Sequence, residues 1–145
     1  MDKFERLKID GERYDAYFKT HKLKNNQTIF ICFSQFEFSK CTEYSVFLVI
    51  ANKKKHIKQC ILQEKDVFFD KETGKCGLEG LLWAKQQIIE FEESDICRNG
   101  DVITIGWADN RRRNVYEYGL KKLGFIMGYR EGCKCLIKKI VKDIK

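Results

Sequence analysis

Two runs along the chain alternate or cluster apolar residues at strand spacing. Residues 28–38 (TIFICFSQFEF) and 44–51 (YSVFLVIA) are rich in β-branched and aromatic side chains, which suit a pleated, half-buried surface. Both are predicted strands. Residues 102–107 (VITIGW) form a third, short and apolar enough to be buried, and 67–70 (VFFD) a fourth. Near the end, 125–129 and 134–140 are predicted as two further strands, with Glu131-Gly132 near the turn. Two earlier segments, 4–9 and 13–19, are short and mixed around Gly11, and their type stays open.

Helical period replaces alternation in two places. In LEGLLWAKQQIIEFEE, Leu78, Leu81, Leu82, Ile88 and Ile89 fall on one stripe, and Trp83 lies almost opposite it. In 109–125 (DNRRRNVYEYGLKKLGF), the stripe is Val115, Tyr116, Gly119, Leu120 and Leu123. Asp109 or Asn110 is the expected N-cap and Gly124 the C-cap. Residues 52–59 (NKKKHIKQ) are polar, fitting a turn and a short helix. The resulting order is strands, glycine turn, helix, strand, helix, two strands: an α/β layout with helices packed on a mixed sheet.

Length and composition fit one domain spanning 1–145. A hydrophobic fraction of 43% argues against disorder. No apolar run approaches the roughly 18 residues of a membrane span, and the N-terminal MDKFERLKIDGERYD is unlike a secretory leader. The expectation is a cytoplasmic protein with no membrane partner. The seven cysteines include no Cys-x-x-Cys pair, and His21 and His56 lie far from Cys133-x-Cys135. That spacing favours free thiols over a zinc centre or a disulfide framework, so no metal is expected.

Charge is uneven. Residues 1–100 are close to neutral, so most of the net +7 falls in the last third. An anionic ligand or partner there is the implication. Arg111, Arg112 and Arg113 stand in the first turn of a predicted helix, where cations face the positive end of the dipole. Either they are solvated, with Glu117 four residues beyond Arg113, or something negative lies opposite.

The turn Thr73-Gly74-Lys75-Cys76-Gly77 leads into a helix start, where free N–H groups and the dipole favour an anion. It fits neither a Walker A loop nor G-x-G-x-x-G. Cys76, at that helix start, is also a thiol whose pKa the dipole could lower.

Taken together, TGKCGLEGLLWA and the later KKLGF resemble two segments of the GNAT superfamily of N-acetyltransferases. The first is similar to its pyrophosphate loop, Q/R-x-x-G-x-G/A, and the second to its Y-x-K-L-G-F segment. The resemblance covers about residues 67–140. It implies a single-domain GNAT-like mixed β-sheet flanked by helices, and acetyl transfer from acetyl-CoA to an amine acceptor. Thr73, Gly74, Lys75, Cys76, Gly77 and Leu78 would then hold the coenzyme, with Arg111, Arg112 and Arg113 on its phosphates or on an acidic acceptor. Glu72 or Asp109 would take the amine proton, and Tyr116 would protonate the leaving thiolate. The chain departs from the pattern where Thr73 replaces Gln or Arg and where Leu120 occupies the family's tyrosine position. A second reading follows from those departures: an inactive binding module of the same scaffold. It would contact nucleic acid or an acidic partner through Lys53–Lys55 and Arg111–Arg113, with Trp107 or Trp83 for stacking. The acceptor and the oligomeric state are not readable from the sequence.

Overall fold

The computed structural model describes residues 4–8, 15–51, 79–106 and 118–142. These form one seven-stranded sheet: β1 (Glu5–Lys8), β2 (Asp15–Lys22), β3 (Thr28–Glu37), β4 (Thr42–Ala51), β5 (Val102–Ile105), β6 (Ile126–Arg130) and β7 (Cys133–Lys139). The strand order is β1-β2-β3-β4-β5-β7-β6, and every neighbouring pair is antiparallel except β4 and β5. One long α-helix, α1 (Glu79–Glu93), connects the parallel pair.

This corrects the expected α/β fold with a GNAT-like sheet flanked by helices. Among the described residues the sheet dominates, and α1 is the one helix of more than two turns. The expectation gave the N-terminal segments no type. They are strands of an antiparallel meander, because Tyr17, Lys19 and His21 alternate with Ala16, Phe18 and Thr20 across β2. The second expected helix is described only from Tyr118: residues 118–120 are helical, and Lys121–Leu123 tighten into a 3-10 turn. Gly124 ends it as foreseen, at φ 99° with its N–H on the Lys121 carbonyl. That left-handed conformation suits glycine because it has no Cβ to clash.

The pairing register divides the sheet into two faces. One carries Ile31 and Phe33 of β3, Tyr44 of β4, Ile103 and Ile105 of β5 and Leu136 of β7. All are buried in a single cluster with Ala84, Ile88 and Phe91 of α1. Phe91 is its centre: fully buried, it stacks on Phe33 at 3.9 Å and meets Tyr44 edge-on at 4.9 Å. The opposite face carries Ala16, Phe30, Cys32 and Ala51, also buried. Both faces of β3 are therefore apolar, which explains its unbroken run of hydrophobic residues.

The buried stripe of α1 is not the one its leucines suggested. Gly80, Ala84, Gln87, Ile88 and Phe91 face inward, whereas Leu82 is 61% exposed. Small residues at two turns face inward, Leu82 turns to solvent, and Leu81 stays half-buried near Gly119. Both helix ends are tied. Glu79 accepts the Lys24 backbone N–H at 3.0 Å, and Lys142 donates to the carbonyls of Ser94 and Cys97 beyond the C-terminus. A cation at that end also complements the helix dipole. Among the described residues no helix is long and apolar enough to cross a membrane.

Candidate functional site: the fork between β4 and β5

A parallel pair joined by a helix has a chemically distinct end. In open α/β sheets, ligands settle in the crevice beyond the carboxyl ends of parallel strands. Here β4 and β5 pair only from Glu43↔Val102 to Val46↔Ile105. Strand β5 then stops, while β4 runs on to Ala51, held on its other side by Thr28–Cys32 of β3. Over Phe47–Ala51 the β5-facing edge has no strand partner among the described residues. Among the described residues β4 thus continues five residues past its last pair with β5, and this arrangement is called the fork.

The walls of the fork are apolar. Leu48 and Ile50 point to the α1 side, where Ile50 joins Leu23 and Ile29 in a small buried cluster against Trp83. Phe47 and Val49 point to the other side, and Phe47 is 44% exposed. Beyond β5, Gly106 is exposed, and a Cβ there would meet nothing within 4 Å.

The helix direction adds a polar end. The start of α1 lies near the carboxyl end of β4, since Trp83 packs on the Leu23, Ile29 and Ile50 cluster and Glu79 reaches Lys24. Its far end lies near the start of β4, where Tyr44 donates to the Ile96 carbonyl at 3.3 Å. First-turn N–H groups lack intrahelical acceptors and carry the positive end of the dipole. An unpaired strand edge, apolar walls and a helix start suit an extended, amide-bearing ligand with an anionic end.

The closed end of the fork is structural. Asp101 is buried, and its carboxylate accepts the N–H groups of Thr42 (3.2 Å) and Arg98 (2.8 Å), pinning the start of β4 to the approach to β5. Burial, followed by the nearby Asp101 carboxylate, raises the Tyr44 hydroxyl well beyond the ordinary tyrosine range. Burial, again followed by Asp101, pushes the Cys97 thiol up to about 12. Both groups hold their protons at neutral pH.

The residues assigned chemistry from the sequence fall outside the described residues: Glu72, Thr73, Gly74, Lys75, Cys76, Gly77 and Leu78, and Asp109, Arg111, Arg112, Arg113 and Tyr116. The strand predicted at 67–70 also lies outside the described residues.

Sequence reasoning missed the fork itself. Its signal was the two-sided apolar run SVFLVIA, since a strand buried on both faces fits a parallel pair. It also missed the stacking of His21 on Trp83, at 5.5 Å and 12° between rings. A scan against protein-family models and searches of curated proteins and of solved structures found no match.

Proposed function

We propose that the chain is an acyl-CoA-dependent N-acyltransferase, moving an acetyl group from acetyl-CoA to an amine acceptor. The observation that carries this reading is the fork. The edge of Phe47–Ala51, unpaired among the described residues, offers backbone donors and acceptors to the amide-bearing arm of a coenzyme, and the α1 start offers its dipole to the pyrophosphate. The resemblance of TGKCGLEGLLWA and KKLGF to acetyltransferase segments supports the same ligand, because the first run leads straight into α1.

In this reading the amine nitrogen attacks the thioester carbonyl, forming a C–N bond. The C–S bond then breaks and releases the coenzyme thiolate. Glu72 or Asp109 accepts the proton lost by nitrogen, and Tyr116 gives one to sulfur. Thr73 to Leu78 and Arg111 to Arg113 are the proposed coenzyme contacts. A reducing cytoplasm is the proposed location, which suits the seven cysteines.

The test is a thermal-shift titration with acetyl-CoA. Ligand at about 100 times its Kd adds about 2.7 kcal/mol to the folded state, a rise of roughly 5–10 °C for a chain of this size. Free acetate should give none. An unchanged melting temperature at millimolar acetyl-CoA would refute the assignment.

A further inference from the structure

The C-terminal unit, residues 118–142, holds Lys121, Lys122, Arg130, Lys134, Lys138, Lys139 and Lys142 against a single acid, Glu131. Three of these cations are used internally. Arg130 pairs with Glu43, Lys138 pairs with Glu92 at 2.8 Å, and Lys142 closes the end of α1. Lys121, Lys122 and Lys134 are exposed and make no ion pair among the described residues.

Beside these lysines stand two tyrosines turned to solvent. Tyr118 is 77% exposed and Tyr129 60%. The Lys122 ammonium lies 5.5 Å from the centre of the Tyr118 ring. Tyr129 faces Lys134 directly across the β6–β7 ladder, so their side chains share one face. The same pairing, an open aromatic ring beside an uncommitted cation, thus occurs twice on one short unit. Neither ring is needed by the core.

We propose that these two tyrosine–lysine pairs bind single-stranded nucleic acid, with Tyr118 and Tyr129 stacking unpaired bases and Lys121, Lys122 and Lys134 meeting the flanking phosphates. Stacking on a ring face tolerates any base but requires it unpaired, and the lysines supply the charge complement of a backbone. A duplex would leave the tyrosines idle. A second copy of this chain is disfavoured on charge, because it would set one lysine-rich hairpin against another. None of these five side chains is among those assigned to the fork or the coenzyme, so each activity is tested by its own variants.

The experiment is fluorescence polarisation of a short fluorescein-labelled oligouridylate with the full chain, across a salt series. Binding should be saturable and weaken with salt. Replacing Lys121, Lys122 and Lys134 together by glutamine should flatten the log–log salt slope by about 2, at roughly 0.7 per phosphate contact. Tyr118→Ala and Tyr129→Ala should each weaken binding at least about five-fold at fixed salt and leave that slope unchanged. All these positions are at the surface, so the melting temperature should hold.

Three results would overturn the proposal. One is no binding at low salt. Another is binding that both tyrosine variants retain in full and that heparin matches, which means charge attraction alone. The third is sedimentation velocity showing a dimer that Tyr129→Ala dissociates, which means a second copy occupies the surface.

Discussion

Glu43, at the start of β4, and Arg130, at the end of β6, meet across 87 residues of chain, with Nε 2.8 Å and a terminal guanidinium nitrogen 2.7 Å from one carboxylate oxygen. In the ladder Glu43 lies level with Val102 and Lys139, whereas Arg130 faces Cys133 at the far end of β7. A flat sheet would hold those rows about 20 Å apart. Their contact means that the β6–β7 hairpin curls across the sheet, past its last pair with β5, and Cys135 is buried at that curl. The Glu43 side chain is 12% exposed and that of Arg130 46%, so water screens part of the attraction. A double-mutant cycle of Glu43→Gln and Arg130→Gln, followed by urea unfolding, should give a coupling of about 0.5–1 kcal/mol. Strict additivity would mean that the pair does not hold the curl.

Gly128 lies in the same hairpin, and its need is a matter of space. A Cβ there would collide with Ile137 Cδ1 and come within 3.2 Å of its Cγ1. Gly128→Ala should cost about 1–3 kcal/mol in urea unfolding. Adding Ile137→Val removes the colliding methyl and should restore most of that loss. A neutral Gly128→Ala would contradict the observed packing of β6 on β7.

Phe91 joins α1 to the sheet through Phe33, Tyr44 and Phe4, whose ring centre is 5.3 Å away. Phe91→Ala should destabilise the chain by about 3–5 kcal/mol. Leu82→Ala, at an exposed position of the same helix, should stay within about 0.5 kcal/mol. Reversed costs would restore the leucine stripe as the buried one.

Burial raises four acidic groups, Cys32, Tyr44, Cys97 and Cys135, and the sign of the pH effect follows. The Cys32 thiol is pushed up to about 11 and the Cys97 thiol to about 12, while the Tyr44 phenol moves further still. Each folded pKa lies above its unfolded value. Their contribution is whole below about pH 9 and is lost as pH rises toward the folded values. Stability should therefore fall steeply above pH 9. At pH 8 a disulfide reagent should label exposed Cys133 quickly and leave Cys32 and Cys97 intact until the chain unfolds. Rapid labelling of all described thiols in the native state would contradict their burial.

Much of the sheet was legible because its strands carry their own pattern. Residues 28–38, 44–51 and 102–107 contain β3, most of β4 and β5, and the final two runs match β6 and β7 to within a residue or two. β1 and β2 were not readable, because their charged and aromatic residues mix around a glycine and give no clean period. The face of α1 was misjudged for a physical reason. Its sheet side is built from Gly80 and Ala84, which allow close approach, and from a buried Gln87, none of which a count of leucines weights. The expected flanking helices gave way to a sheet-dominated fold, since pairing of β1 and β2 with β3 depends on contacts between distant segments. The fork was hidden for the same reason: it exists only because β5 ends at Ile105 while β4 does not.

Hydrogen exchange of the full chain with and without acetyl-CoA tests the central claim most directly. Coenzyme in the fork must engage the edge of β4 that has no strand partner among the described residues, so amides within Phe47–Ala51 should gain protection. Those within Thr42–Val46, already flanked by β3 and β5, should exchange as before. Saturating acetyl-CoA that leaves Phe47–Ala51 unprotected would contradict the account.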